Sequence, residues 1–230
     1  MLLENLCSSK ECIEKLKDLI KTVQELDAKV GSARVSIEAS GEPPLIKRVS
    51  REDLKALEKL LESLGIKIES SERVLEPSED MSLDELFASF VFRKAFRTAV
   101  GSVPKELNEN WKEGFCPICG LYPIAAFEVV KSETTMSRVV WTLFCLCGHT
   151  WDWNPLTCPR CKVSSYDAFS VALIGRGFLI IYTCNRCGHS MAVLREGGAF
   201  IGEETVAFPL LAGLAVNAVR TTQTRGSEAH

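Results

Sequence analysis

The segment Cys116-Pro117-Ile118-Cys119-Gly120 opens the stretch that decides the fold of this chain, and Cys158-Pro159-Arg160-Cys161 repeats it 42 residues later. Each segment is followed by a second close pair, Cys145/Cys147 in the first copy and Cys184/Cys187 in the second. Eight of the ten cysteines of the chain therefore stand in four pairs. Two such pairs supply the four thiolates of one tetrahedral metal site. The spacing predicts two metal sites of four cysteines each.

Both copies show the same order of knuckle, hairpin and knuckle, which is an internal repeat of about 40 residues. In the first, runs of β-branched and aromatic residues predict strands at 124–130 and 138–144; in the second, at 166–174 and 178–183. Each predicted hairpin lies between two cysteine pairs. We therefore expect two tandem rubredoxin-like or zinc-ribbon units, with residues 113–154 forming the first and residues 155–220 forming the second together with a C-terminal helix.

The repeat makes sequential pairing the natural ligand assignment, with one metal ion in each unit. The first ion is expected to bind Cys116, Cys119, Cys145 and Cys147, and the second Cys158, Cys161, Cys184 and Cys187. Four thiolates suit both zinc and iron, so the sites are either structural or able to carry single electrons. Because Cys145 and Cys147 are separated by one residue only, His149 as a replacement for Cys145, or a reactive Cys145 thiol, stays open as an alternative.

Helical spacing of apolar residues dominates the chain before the cysteines. It predicts helices over about 1–30, from Ser50 to Gly65 and from Ser82 towards Gly101, which together form an α-helical N-terminal domain over residues 1–112. An apolar run up to Val219, with Pro209 near its first turn, predicts a closing helix, and residues 221–230 are expected to form a disordered tail. The fold class expected is thus α+β.

Charge and motif content exclude several classes of function. The formal net charge is −3, and only 9 basic residues against 8 acidic ones follow Glu113, so we expect no nucleic-acid partner. Gly175, Arg176 and Pro209 interrupt the apolar runs, so we expect no membrane span, and a cytoplasmic location is the simplest reading. Without a phosphate-binding loop, a dinucleotide fingerprint or a nucleophile elbow, the chain is not expected to be an enzyme.

The cysteine pattern resembles that of the formate dehydrogenase accessory proteins, the FdhE family. The similarity comprises Cys116-Pro117-x-Cys119-Gly120-x-x-Pro123, Cys147 with Trp151 four residues on, Cys158-x-x-Cys161, and Cys184-x-x-Cys187-Gly188. The chain departs from the family in the shortened second pair, and in Ser190 and Ala192, where members tend to carry a tyrosine and a lysine. It is identified by this resemblance as a divergent member.

The resemblance implies a cytoplasmic maturation factor that binds the catalytic subunit of a molybdenum- or tungsten-dependent formate dehydrogenase. Its rubredoxin-like metal sites would then be needed for that interaction or for a redox step. Two alternatives remain at this point. One is a nucleic-acid-binding zinc-ribbon module, and the other is a rubredoxin-like electron-transfer protein.

Overall fold

The computed structural model describes residues 10–32, 37, 42–63, 65, 83–100, 111–132, 136–174, 177–195 and 208–227. Its helices are α1 (Lys10–Ser32), α2 (Arg51–Ser63), α3 (Leu83–Val100) and α4 (Phe208–Ser227), with short 3-10 helices at Leu45–Arg48 and Tyr166–Ala168. Its strands are β1 (Ala125–Ser132), β2 (Ser137–Phe144), β3 (Thr150–Trp153), β4 (Phe169–Ile174), β5 (Leu179–Cys184) and β6 (Ser190–Leu194). The expected α+β class is confirmed.

Helices α2 and α3 begin and end close to where the sequence predicts them, and α1 ends close to its predicted end. Residues 1–9 of the predicted first helix lie outside the described residues. At the start of α2, the Ser50 hydroxyl accepts a hydrogen bond from the Asp53 amide at 3.1 Å and donates one to the Asp53 carboxylate at 2.8 Å. This is an N-cap that satisfies an amide left without a partner by helix geometry. Helix α3 buries Phe90, Phe92 and Phe96 almost completely. It contacts both α1 and α2, and is therefore the helix around which this part of the chain is organised.

All six strands belong to one sheet, with the order β3-β2-β1-β6-β5-β4. Within each repeat the strands are antiparallel, so β1 pairs with β2 and β2 with β3, while β4 pairs with β5 and β5 with β6. The two repeats join where β1 runs parallel to β6, with Ala125 opposite Ala192 and Phe127 opposite Leu194. The two predicted ribbons are thus two halves of a continuous sheet.

The sequence analysis did not predict β3 and β6, although each follows the second knuckle of its repeat. Strand β3 has four residues and β6 has five, shorter than the strands found by their hydrophobic pattern. All five residues of β6 are buried. A central strand buried on both faces shows no alternation of polar and apolar side chains, which explains why periodicity did not reveal it.

Helix α4 covers one face of the sheet. The Phe208 ring lies with its centroid 4.5 Å from that of Phe127 on β1 and 6.0 Å from that of Phe144 on β2. Leu211, Ala212, Ala215 and Val216 are buried as well. Because α4 continues to Ser227, the expectation of a disordered tail is wrong for residues 221–227, while residues 228–230 lie outside the described residues.

One hydrophobic core connects the helices to both repeats. It includes Val23 of α1, Leu57 of α2, Phe92 of α3 and Val193 of β6 among its members. Main-chain hydrogen bonds add to this connection, because the amides of Leu45 and Ile46 donate to the carbonyl oxygens of Pro117 and Ile118 at 3.0 and 2.9 Å. The predicted helical domain therefore packs directly against the first cysteine knuckle. None of the helices in the described ranges combines the length and hydropathy that crossing a bilayer requires.

Candidate metal centres

The main chain forms the same knuckle at corresponding places in the two repeats. At the first pair of each repeat, the Cys116 amide donates to the Leu121 carbonyl and the Cys158 amide to the Val163 carbonyl, both at 2.8 Å. At the second pair, the Cys145 amide donates to the His149 carbonyl at 3.0 Å and the Cys184 amide to the His189 carbonyl at 2.8 Å. The internal repeat found in the sequence thus extends to individual hydrogen bonds.

Each knuckle is closed by a residue with a positive φ angle. Gly120, Gly148 and Gly188 close three of them with φ of 76°, 84° and 72°, and Lys162 closes the fourth with φ of 61°. Glycine adopts this conformation without steric cost, while a side chain makes it unfavourable. Contacts of Lys162 offset part of that cost, since its ammonium lies 3.1 Å from the Glu113 carboxylate and 4.7 Å from the centre of the Trp153 ring.

The structure brings the eight cysteines together in the two sets expected from the repeat. Within each set, all four sulfur atoms lie within 4.8 Å of one another. We call Cys116, Cys119, Cys145 and Cys147 the first tetrad, and Cys158, Cys161, Cys184 and Cys187 the second tetrad. The shorter Cys145/Cys147 spacer still brings both of its sulfurs into the first tetrad, so His149 is not needed as a fourth ligand.

The sulfur spacing fits a tetrahedral metal ion. Four thiolates at about 2.3 Å from a metal ion would stand about 3.8 Å apart. Observed separations are 3.6 Å for Cys158–Cys187, Cys161–Cys184 and Cys116–Cys147, and 3.2 Å for Cys119–Cys145. These cysteines form no disulfide. The two tetrads therefore fit two metal ions, each bound by four thiolates, and this donor set accepts zinc as well as iron.

The two tetrads differ in their access to water. All four cysteines of the first tetrad are at most 3% exposed. In the second tetrad, Cys158 and Cys184 are buried, but Cys161 and Cys187 are partly exposed. The first site is thus enclosed by protein, whereas the second opens to the surface on one side.

Each tetrad contains one thiol whose ionisation is favoured. Burial opposes ionisation of Cys119, but hydrogen bonds from the other three thiols and the positive charge of Arg93 bring its pKa well below the usual range. Burial also opposes ionisation of Cys161, but the Val163 amide and the neighbouring thiols lower its pKa to about 7. In contrast, burial raises the pKa of Cys116 and of Cys158. Each tetrad thus contains a thiol whose surroundings favour the thiolate, which is the form that binds a metal ion.

One further side chain contacts the first tetrad and a second side chain holds it in place, and the sequence analysis did not single out either. Arg93 of α3 is fully buried, and its Nη1 donates to the Cys119 carbonyl at 2.9 Å. Its Nε donates to the Ser89 hydroxyl, also fully buried, at 3.1 Å. The sequence did contain a signal for Arg93, because this charged residue stands inside the apolar run Phe90–Phe96. A charged side chain buried in such a run needs a hydrogen-bond or charge partner. Spacing alone did not reveal that the partner is a cysteine knuckle.

The histidines after the second knuckles are packed residues. Burial and the positive charge of Arg97 lower the pKa of His149 to about 4, so this imidazole is neutral at physiological pH. It stacks on Trp151 at a centroid distance of 5.8 Å, and neither His149 Nε2 nor Trp151 Nε1 makes a hydrogen bond within the described residues. His189 is partly buried and packs edge-on against Tyr122 at a centroid distance of 5.9 Å.

A solved structure with a similar fold is that of the FdhE protein from Pseudomonas aeruginosa. It matches 96% of this chain and 89% of its own length, with a TM-score of 0.55 and 16% sequence identity. The chain has the fold of that FdhE protein. No family model matches the sequence, and no curated protein matches it either. At this level of identity the likeness establishes the fold, and it extends the resemblance beyond the cysteine pairs to nearly the whole chain.

Proposed function

We propose that this protein is a metal-binding accessory factor that binds the catalytic subunit of a molybdenum- or tungsten-dependent formate dehydrogenase and assists its maturation in the cytoplasm. The observation that carries the proposal is the presence of two four-cysteine tetrads within an FdhE-like fold that spans nearly the whole chain. In this proposal the eight cysteines are metal ligands, the chain itself catalyses no reaction, and its partner is a protein rather than nucleic acid or membrane.

The second repeat has the surface properties of a protein-binding site. Tyr166, Val171 and Leu173 are 85%, 55% and 66% exposed, and all three lie on or just before β4. Strand β4 is at one edge of the sheet. Exposed apolar side chains grouped in this way favour contact with another protein. A metal ion in the second tetrad would hold β4 and β5 in place, because its ligands flank that hairpin on both sides.

Binding and maturation can be tested together with one pair of variants. Cys161→Ser removes a ligand from the second tetrad, whereas Arg186→Gln changes an exposed residue between two ligands and preserves all four. We expect wild type and Arg186→Gln to bind the purified formate dehydrogenase catalytic subunit in calorimetry, and to restore formate oxidation in host cells that lack the accessory factor. Cys161→Ser should fail in both assays.

Two results would contradict the proposal. If the wild-type chain neither binds the catalytic subunit nor restores formate oxidation, the maturation role is wrong. If Cys161→Ser performs like the wild type while its metal content falls by one ion, the second metal site has no part in docking. The two outcomes are distinct, because the first concerns the client and the second concerns the site.

The partly exposed second tetrad favours one alternative, electron transfer. An iron ion held by four thiolates cycles between the ferric and ferrous states by exchanging one electron with a donor or acceptor. Exposure of Cys161 and Cys187 would bring such a partner close to the ligands. A reversible couple in the purified iron-loaded protein, together with electron exchange with the catalytic subunit, would support this function. Full maturation activity of the zinc-loaded protein would exclude it.

A further inference from the structure

A metal ion bound in the enclosed first tetrad would leave a net negative charge that the four cysteines do not compensate. Four thiolates around a divalent ion carry two net negative charges. None of the four cysteines is more than 3% exposed, so water cannot solvate this charge. A buried charge is stable only when opposite charges or hydrogen-bond donors surround it. The protein must therefore supply the compensation.

Helix α3 supplies a permanent cation at this point. The Arg93 guanidinium is 0% exposed, and an arginine side chain stays protonated in proteins. Hydrogen bonds to the Cys119 carbonyl and to the Ser89 hydroxyl hold the planar group in one orientation. Since Cys119 is itself a member of the tetrad, this cation lies against the first knuckle of the site.

Two further cations of α3 lie near the other knuckle. The Lys94 ammonium is 3.0 Å from the position that a Cβ atom on Gly148 would occupy. Arg97, one helical turn beyond Arg93, acts electrostatically on His149. Both knuckles of the first tetrad therefore have positive charge from the same helix beside them.

The second tetrad is stabilised in a different way. The amides of Arg160 and Cys161 donate to the Cys158 sulfur, and the His189 amide donates to that of Cys187. Water also reaches the site, because two of its cysteines are partly exposed. The nearby Arg186 is itself exposed, so solvent screens its charge. This site is less dependent on a buried cation than the first.

We propose that Arg93 is a positioning residue of the first metal site, where its enclosed guanidinium compensates the charge of the tetrathiolate centre and holds the Cys116–Cys119 knuckle against α3. This inference goes beyond the maturation role, because it concerns how the chain holds its own metal ion and is independent of the client. With iron bound, the centre carries one net negative charge in the ferric state and two after it gains one electron. A neighbouring cation thus favours the ferrous state.

The test is a redox titration of the iron-loaded full-length protein, with reducing equivalents supplied through small mediators and the ferric absorption followed. Loss of the cation in Arg93→Gln should disfavour the ferrous state of one centre, so the ferric-to-ferrous ratio of that centre at a fixed potential should rise about tenfold. For a one-electron couple, this ratio corresponds to a 59 mV decrease in midpoint potential. The other centre should not shift. Arg93→Lys retains the charge and should shift the first centre less. The wave that disappears in Cys161→Ser identifies the second centre.

Arg186→Gln is the matched control, since it removes an exposed cation near the second tetrad and should shift neither centre. Unchanged potentials in Arg93→Gln together with a lower melting temperature would show that Arg93 only packs, and would overturn the proposal. An equal shift in both centres would overturn it too. If Arg93→Gln does not fold, Arg97→Gln replaces it, because Arg97 is only partly buried. It should shift the first centre in the same direction by a smaller factor, and no shift would again refute the proposal.

Discussion

Substitution of Gly114 by alanine tests the contact between the two repeats at a single atom. Gly114 stands just before the first knuckle and is buried against Pro159, which lies inside the first knuckle of the second repeat. A Cβ atom on Gly114 would lie 1.8 Å from the Pro159 carbonyl oxygen, 2.5 Å from its carbonyl carbon and 2.7 Å from its Cα. All three are main-chain atoms, so no side-chain rotation relieves the overlap.

The size of the effect follows from the displacement required. Distances below 3.0 Å between a Cβ atom and another heavy atom are essentially never found. The two chain segments must therefore move apart by at least 1.2 Å, because the added Cβ atom would lie only 1.8 Å from the Pro159 carbonyl oxygen. Overpacking of this kind costs about 1–3 kcal/mol. Because rigid main chain must move, we expect Gly114→Ala to lower the free energy of unfolding by about 3 kcal/mol. A loss of this size lowers the melting temperature of a chain of this length by about 6–12 °C. Displacement of Pro159 also shifts Cys158 and Cys161, so the second tetrad should bind zinc more weakly.

Gly177→Ala serves as the matched control. Gly177 has φ of +84°, and among the described residues no atom lies within 4 Å of the added methyl group, so the substitution introduces backbone strain there. That strain costs about 1 kcal/mol. Differential scanning calorimetry of the zinc-loaded proteins, with chelator competition for the metal, measures both effects. A Gly114→Ala variant that melts within 1 °C of the wild type and holds both ions equally well would refute the predicted packing of the repeats.

Three other perturbations have expected outcomes. A chelator should release the ion of the second tetrad first, because Cys161 and Cys187 are partly exposed whereas the first tetrad is enclosed. In a time course of metal release, a single phase that accounts for both ions would contradict this expectation. Phe208→Ala should cost about 3–5 kcal/mol of unfolding free energy, because the ring is buried between α4 and the sheet, while Val171→Ala at an exposed site should cost much less. Ser50→Ala should cost about 1 kcal/mol through loss of the α2 N-cap; an unchanged denaturation midpoint would show that the cap adds no stability.

The cysteine sets were predictable because ligand spacing is a local property of the sequence. A knuckle is a few residues long, and its main-chain hydrogen bonds join near neighbours in the chain. The repeat then indicated which pairs belong together, and the sulfur distances agree with that assignment. Whether zinc or iron is bound is not encoded in the spacing, because both accept the same four donors.

The helices of the first half were also predictable, because a 3.6-residue apolar period and an N-cap such as Ser50 are read directly along the chain. The closing helix was placed correctly up to Val219, but its end was not. Residues 221–227 follow the apolar run without its hydrophobic pattern, and they nevertheless continue α4.

The sequence by itself determined the parts of this protein that depend on near neighbours, namely four knuckles, two hairpins, the flanking helices and two sets of metal ligands. Only the tertiary structure decided how these parts meet. It joined the repeats through the parallel β1–β6 pair, placed Pro159 against Gly114, and brought Arg93 to the first tetrad. The physical reason is that these contacts link residues far apart in the chain, and their geometry depends on the whole core rather than on any local pattern.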